Sequence, residues 1–493
     1  MTRVGSTDSS RVDAARSNRW FYAALGLLTL LALARGFGLV LHKPLLAFAN
    51  NFDQIRFTAC IDVGPNRPGV PPERNNPQAP LRYFSFFPLP ADACYWTSDL
   101  AFTAPTALVW RADERLTGAD KHSVRDLGVL RMLAWCIAGA WVTRAWLKAG
   151  SRAAALANVV WLALVGFDPA NTLYLDAFYA EPTSLLALYL CVAGAALAQA
   201  TQSRSALLVT LLGACLLATS KFQHLALPAC FAFVLLLFVR TAASRRIALV
   251  LLLGSVVGGS VVAINRVYSA SLMQSLSATN GADFILSALL LNVDDPTATA
   301  GRLGLAPDCA ARANIGGVYG LHAPFEKVCP GIGSIPTRAA WGELVSQPRA
   351  FVRLLARVPT LMLPWIPSYL GVVEGGQFAK LPARWPSLSD AIGDSAVVAG
   401  LLLLLPWITL ALARRAPADV RTHLTICAVA TTAVPLIALF GDGYIDFPKH
   451  THLVFSAAFA SLCVPLAYLL TRFIAPQDQA NEHHSSTEGP RDV

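Results

Sequence analysis

Four short polar stretches stand out from an otherwise apolar chain. The first runs Asn50, Asn51, Phe52, Asp53, Gln54, Ile55, Arg56, and the second, between Tyr174 and Pro182, contains Asp176, Phe178, Tyr179 and Glu181. The third is Ser220, Lys221, Phe222, Gln223, His224; the last contains Asp442, Tyr444, Asp446, Lys449, His450 and His452. Each mixes acids, cations or amides with aromatic rings, and these types suit one chemistry well. A carboxylate can take the proton from an acceptor hydroxyl, and Lys, Arg or His can stabilise a departing phosphate. Rings such as Tyr174, Phe178 and Tyr179 can stack on a sugar or anchor at a lipid–water boundary. Together these groups would serve transfer of a sugar from a lipid-linked phosphate.

The elements that must carry these residues follow from composition. Only 14% of the 493 residues are charged, 55% are apolar, and the mean hydropathy is +0.50. A soluble domain carries roughly 25% charged residues. A soluble enzyme, a disordered chain and a nucleic-acid binder are poor fits, and the net charge of +9 reflects membrane orientation rather than nucleic acid. Charge-poor runs of about twenty residues satisfy their own backbone as helices in hydrocarbon. Ten are expected, at 20–42, 127–147, 153–167, 180–200, 204–220, 224–240, 247–268, 393–413, 420–440 and 449–472. The fold class is an all-α polytopic membrane protein, with a cytoplasmic tail at 1–19, one membrane domain at 20–472 and a disordered polar tail at 473–493. The first apolar run has no small-residue cleavage site after it and reads as a retained anchor.

Basic residues set the orientation. Arg3, Arg11, Arg16 and Arg19 precede the first run; Arg144, Lys148 and Arg152 follow the second. Arg204, then Arg240, Arg245 and Arg246, then Arg414, Arg415 and Arg421, and finally Arg472 continue the alternation. The opposite short loops contain only Lys221 and Lys449 as cations. Lys and Arg accumulate in cytoplasmic loops, so both termini are expected inside and all four polar stretches outside, at the periplasmic face of an inner membrane.

Two long outer segments are expected at 43–126 and 269–391. Residues 100–112 read as a surface helix. Within the second segment Arg349, Arg353 and Arg357 form one stripe of a helix opened by Pro348 and closed by Pro359, an interfacial element touching membrane lipids. Six of the ten cysteines fall in apolar runs. The other four divide two and two between the outer segments, suggesting Cys60–Cys94 and Cys309–Cys329 disulfides in an oxidising compartment. Their spacing fits no zinc pattern.

Each candidate also has a plainer reading. Arg35, in the outer half of the first helix, either snorkels to headgroups or lines a phosphate cavity. Arg56 either contacts phosphate or pairs with Asp53. Lys221, with Gln223 and His224, binds donor phosphate or sugar, or anchors at the interface. Glu181 and Asp176 bind sugar, or Glu181 answers a helix dipole. Asp168 before Pro169 reads as a turn residue. Lys449, His450 and His452 form a phosphate site or a metal pair, or contact headgroups at the start of the last helix, and His483–His484 read as solvated tail.

The stretches ANNFDQIR, LYLDAFYAEPTSLL and SKFQH, in that order, resemble bacterial multi-spanning hexosyltransferases of the GT-C superfamily; the recognisable motifs cover about a tenth of the chain. The resemblance implies a GT-C-like fold, a polyprenyl-phosphate sugar donor, a glycan, lipid or protein acceptor, transfer with inversion, and Asp53 as the essential acid of the first outer loop. Many relatives carry two acids there, Asp-x-Asp or Glu-x-Asp, where this chain has Asn51-Phe52-Asp53. One carboxylate is a poor divalent-ion site, so no cofactor is expected and metal dependence is doubtful. The rival readings are a transporter or lipid flippase, and a polymerase or ligase using pyrophosphate-linked glycans. Transporters place ionisable sites near the midplane, often in inverted repeats, and no repeat is evident here.

Overall fold

The structure, a computed structural model, describes residues 7–48, 53–66, 69, 81–366 and 387–474, with side chains between 19 and 467. The Asn50–Phe52 part of the first polar stretch and the tail beyond 474, including His483 and His484, lie outside the described residues.

The chain begins with α1 (Thr7–Val40), which takes up most of the expected N-terminal tail. After a short helical turn at Gln54–Thr58, β1 (Val63–Pro65) pairs antiparallel with β2 (Tyr83–Phe86), in the register Val63 to Phe86. A two-residue strand, β3 (His122–Ser123), completes the sheet on the other side of β2. This sheet departs from the all-α expectation. Its sequence, with Tyr83, Phe84 and Phe86 close together, is β-prone, but the strands are too short to leave an alternating pattern. Helix α2 (Leu100–Thr117) extends the expected surface helix by five residues, to the left-handed Gly118, whose N–H closes the last turn on Glu114.

The helices that follow match the remaining expected apolar runs closely. They are α3 (Arg125–Lys148), α4 (Arg152–Trp161, continued by a π turn over Leu162–Gly166), α5 (Glu181–Thr201), α6 (Arg204–Ser220), α7 (Leu227–Phe238) and α8 (Ala242–Tyr268). Helix α9 (Ala270–Asp283) and the amphipathic α10 (Pro348–Ala356) belong to the second outer segment; α11 (Ala396–Leu412), α12 (Ala418–Asp442) and α13 (His452–Ile474) complete the bundle. Among the described residues five helices are long and apolar enough to cross a membrane, and five shorter apolar ones accompany them.

Helix α5 is the axis of the bundle and is buried along almost its whole length. Small residues let its neighbours approach. A Cβ at Gly213 of α6 would sit 2.7 Å from the Cys191 backbone nitrogen of α5, and one at Gly194 would sit 2.8 Å from the Thr210 hydroxyl. Gly254 and Gly258 of α8 meet Ala214 and Ala218 of α6 in the same way. In α10, Ala350 and Leu354 are buried while Arg349 and Arg353 are exposed, so the Arg stripe faces away from the core. Disulfides join Cys60 to Cys94 and Cys309 to Cys329, while Cys136, Cys191, Cys215, Cys230, Cys427 and Cys463 are free thiols within helices.

A buried guanidinium fixes the loop between α4 and α5. Arg131 of α3 donates to both carboxylate oxygens of Asp99 at 2.7 Å and to the carbonyls of Leu175 and Ala177, also at 2.7 Å. It reaches the carbonyls of Tyr174 and Tyr179 as well, at 3.4 and 3.3 Å. Thr183 donates to the same Asp99 at 2.7 Å. Removing one member of such a pair strands a buried charge. Arg131→Leu should therefore cost about 3–5 kcal/mol, read as a fall in the thermal unfolding midpoint in detergent. Asp99→Leu combined with Arg131→Leu should recover part of that loss.

Candidate functional site

Helix directions sort the charges onto two ends of the bundle. α5 starts at Glu181, α6 ends at Ser220, α12 ends at Asp442 and α13 starts at His452, so the connections at this end carry the second, third and fourth polar stretches. The opposite connections hold Arg144, Lys148, Arg152, Arg204, Arg240, Arg245, Arg246, Arg414, Arg415 and Arg421.

At the polar end the stretches close around a cleft of about 150 Å³. Asp53 sits at the start of the Gln54–Thr58 turn, with Oδ1 2.7 Å from the Arg56 guanidinium and Oδ2 2.9 Å from the Lys449 Nζ. Lys449 also meets Asp446 at 2.7 Å. Burial works against its charge, but Asp446, Asp53 and Glu181 outweigh that and hold the ammonium well above the usual lysine range. Lys221 pairs with Glu181 across the cleft. On the far wall, Asp442 accepts from the Gln223 amide and lies 3.1 Å from His450 Nε2. Asp442 Oδ1 and His450 Nδ1 are buried without a hydrogen-bond partner among the described residues.

Asp53, Arg56, Tyr179, Glu181, Lys221, Gln223, Lys449 and His450 all line this cleft. His224 lies directly behind it, buried, with its Nδ1 2.9 Å from the Ser220 hydroxyl that lines it. Two expected residues are elsewhere. Arg35 is tied to Asp168 at 3.3 Å and to the Ala163 carbonyl, pinning α1 to the end of α4 instead of facing a phosphate cavity. Asp168 caps Ala170 and also accepts from Leu388 and Ser389. Asp176 is buried on the other side of its loop, packed so closely against Gly128 that a Cβ there would overlap its carboxylate. It does not line the cleft, and its Oδ1 is buried without a hydrogen-bond partner among the described residues.

Other cleft residues were not singled out from the sequence. Asn280 and Asp283, at the end of α9, and Tyr319 come from the second outer segment. Asp283 accepts from the Val318 N–H at 2.8 Å. Burial first, then nearby Asp442 and Asp446, push its carboxyl up to about 8. Asp442 and Asp446, noticed as part of the fourth stretch, stand among the partners of its more prominent bases. Among the described residues no group of three or more His, Cys, Asp or Glu side chains is arranged to hold a metal ion.

The cleft opens into an apolar groove of about 920 Å³, sharing Tyr95, Phe222, Gln223, Leu276, Asn280 and Asp442 with it. Met273, Trp341, Leu436, Ile437 and Phe440 line the groove's apolar wall. A polar, charged cleft therefore continues directly into a surface that suits a long hydrocarbon chain.

Residues 123–315, from β3 to beyond α9, match the family model described as the YfdI N-terminal transmembrane domain. This is a membrane protein. The matched part contributes Tyr179, Glu181, Lys221, Gln223 and Asp283 to the cleft; Asp53, Asp442 and Lys449 come from outside it. No curated protein and no solved structure matches the chain.

The raised Asp283 carboxyl has a consequence for stability. The unfolded chain releases this proton near 3.8 and the folded chain near 8, so between those values the folded state holds the extra proton. Stability should fall as pH rises through that window and level off above it. Asp283→Asn should flatten this part of the profile, measured as the thermal unfolding midpoint in detergent from pH 4 to pH 9. An unchanged profile would show that Asp283 ionises normally.

Proposed function

We propose that the protein is a glycosyltransferase of GT-C type, moving a hexose from a polyprenyl-phosphate donor to a glycan, lipid or protein of the cell envelope. In this reading the ten apolar helices span the inner membrane, both termini are cytoplasmic, and the cleft opens at the periplasmic face. The observation that supports it best is the meeting of Asp53, Arg56, Lys221 and Lys449 beside an apolar groove. A polyprenyl phosphate has this same division, an anionic head on a long apolar tail.

The groove takes the isoprenoid chain, and its phosphate enters among Arg56, Lys221 and Lys449. Asp53 accepts the proton of the acceptor hydroxyl as that oxygen bonds to the anomeric carbon from the face opposite the phosphate. The bond from the anomeric carbon to the phosphate oxygen breaks, the configuration inverts, and the three cations stabilise the polyprenyl phosphate that leaves. The arriving phosphate also competes with Asp53 for Arg56 and Lys449, loosening the two pairs that hold the base. Gln223, Asp442, His450 and Tyr179 offer the hydrogen bonds and ring face that a neutral sugar needs.

Purified protein supplied with a panel of radiolabelled polyprenyl-phosphate hexoses should transfer one of them, with and without EDTA. Asp53→Asn should lower transfer by at least a hundred-fold. The protein should stay folded, with a lowered unfolding midpoint because Lys449 keeps only two of its three acids. Full activity in that variant would remove Asp53 from the chemistry. No transfer from any donor would favour a transporter or flippase.

A further inference from the structure

The end of the bundle opposite the cleft holds a second composite cavity. Its polar part, about 460 Å³, lies between the last turn of α3 and the turn joining α5 to α6. Arg144 and Lys148 line it, one helical turn apart on α3, with Trp141 a turn earlier on the same face. Thr201, Ser203 and Ser205 line the opposite wall. Ser203 and Ser205 share a hydrogen bond of 2.7 Å between their hydroxyls, and no side chain caps the first turn of α6. No carboxylate lines the cavity, and among the described residues neither Arg144 nor Lys148 forms an ion pair.

Arg144 also lines an apolar groove of about 440 Å³. That groove runs between α1, α3 and α4, past Leu33, Gly139, Ala140, Trp135 and Leu162 to Phe167. From Arg144 to Trp135 the helix rises roughly 13 Å, about the reach of the first ten carbons of an acyl chain. Two cations and two hydroxyls thus sit at an interfacial Trp, beside a groove between membrane helices. The arrangement has both halves of a phospholipid site, a phosphate cradle and a chain slot.

We propose that this cavity binds an anionic phospholipid, with its phosphodiester at Arg144 and Lys148, its headgroup hydroxyls on Ser203 and Ser205, and one acyl chain in the α1–α3–α4 groove. The absence of a lining carboxylate selects against zwitterionic headgroups, whose ammonium would find no partner. The site is independent of the reaction at the cleft and rests only on the membrane character of the chain. It also gives the cations at this end a specific occupant, beyond their contribution to orientation.

The test is native mass spectrometry of the full chain in mild detergent with equimolar phosphatidylglycerol and phosphatidylcholine. Phosphatidylglycerol should be retained preferentially, and Arg144→Gln with Lys148→Gln should weaken its retention about thirty-fold. Ala140→Trp, which fills the groove and leaves both cations in place, should also release it. Both variants should keep the wild-type unfolding midpoint once lipid is stripped, because Arg144, Lys148 and Ala140 are exposed to the bilayer or its boundary. Equal retention of the two lipids, or unchanged retention in the double variant, would overturn the proposal. So would competition by inorganic phosphate as effective as that by phosphatidylglycerol.

Discussion

The cleft depends on one buried ammonium. Lys449 joins Asp53, near the start of the chain, to Asp446, near its end, and so closes the ring of polar loops across 396 residues of sequence. Taking an ammonium out of water is costly, and here three acids offset the cost. The position of Asp53 is thereby set by a helix pair at the far end of the chain, and not only by the short turn that it begins. Any anion entering the cleft meets Lys449 and Arg56 already engaged, so binding there is an exchange of partners rather than the filling of an empty charge.

A second buried cation does the matching work behind the cleft. Arg131 holds the carbonyls of the loop that leads from Tyr174 to Tyr179, and Asp99 neutralises it. The loop has little regular structure of its own, so its carbonyls need a donor from elsewhere once buried. With the loop fixed, Tyr179 and Glu181 face the cleft while Asp176 turns to the other side. The two cations divide the labour: one holds charges at the cleft, the other holds the backbone that presents them.

Much of this was legible in the sequence. Periodic freedom from charge marks the helices so clearly that α6 has the expected bounds, and the basic loops fall together at one end. Eight of the polar residues singled out line one cleft, because few charged residues survive in an apolar chain without a purpose. What stayed hidden has physical causes. Arg131 lies within an apolar run, and nothing local shows that it faces carbonyls from a loop forty residues on. Arg35 carried the same ambiguity, and its partner Asp168 settles it only in three dimensions. Asp283 and Asn280 follow α8 in a segment that reads as extramembrane, so their return to the cleft depends on how α9 folds back. The short sheet escaped notice because three strands of two to four residues leave no measurable period.

The lengths of α6 and α7 carry a mechanical consequence. At 1.5 Å per residue, α6 and the apolar stretch from Phe222 to Phe238 that contains α7 each reach about 26 Å, against a hydrocarbon layer of about 30 Å. Both helices flank the apolar groove, through Phe222, Leu225 and Ala226 between them. If both span, as the proposed arrangement requires, a bilayer on this side thins, or flanking side chains reach out, to meet them. Under that reading the lipid surface is drawn down where the groove opens, and a headgroup there stands level with the cleft instead of above it.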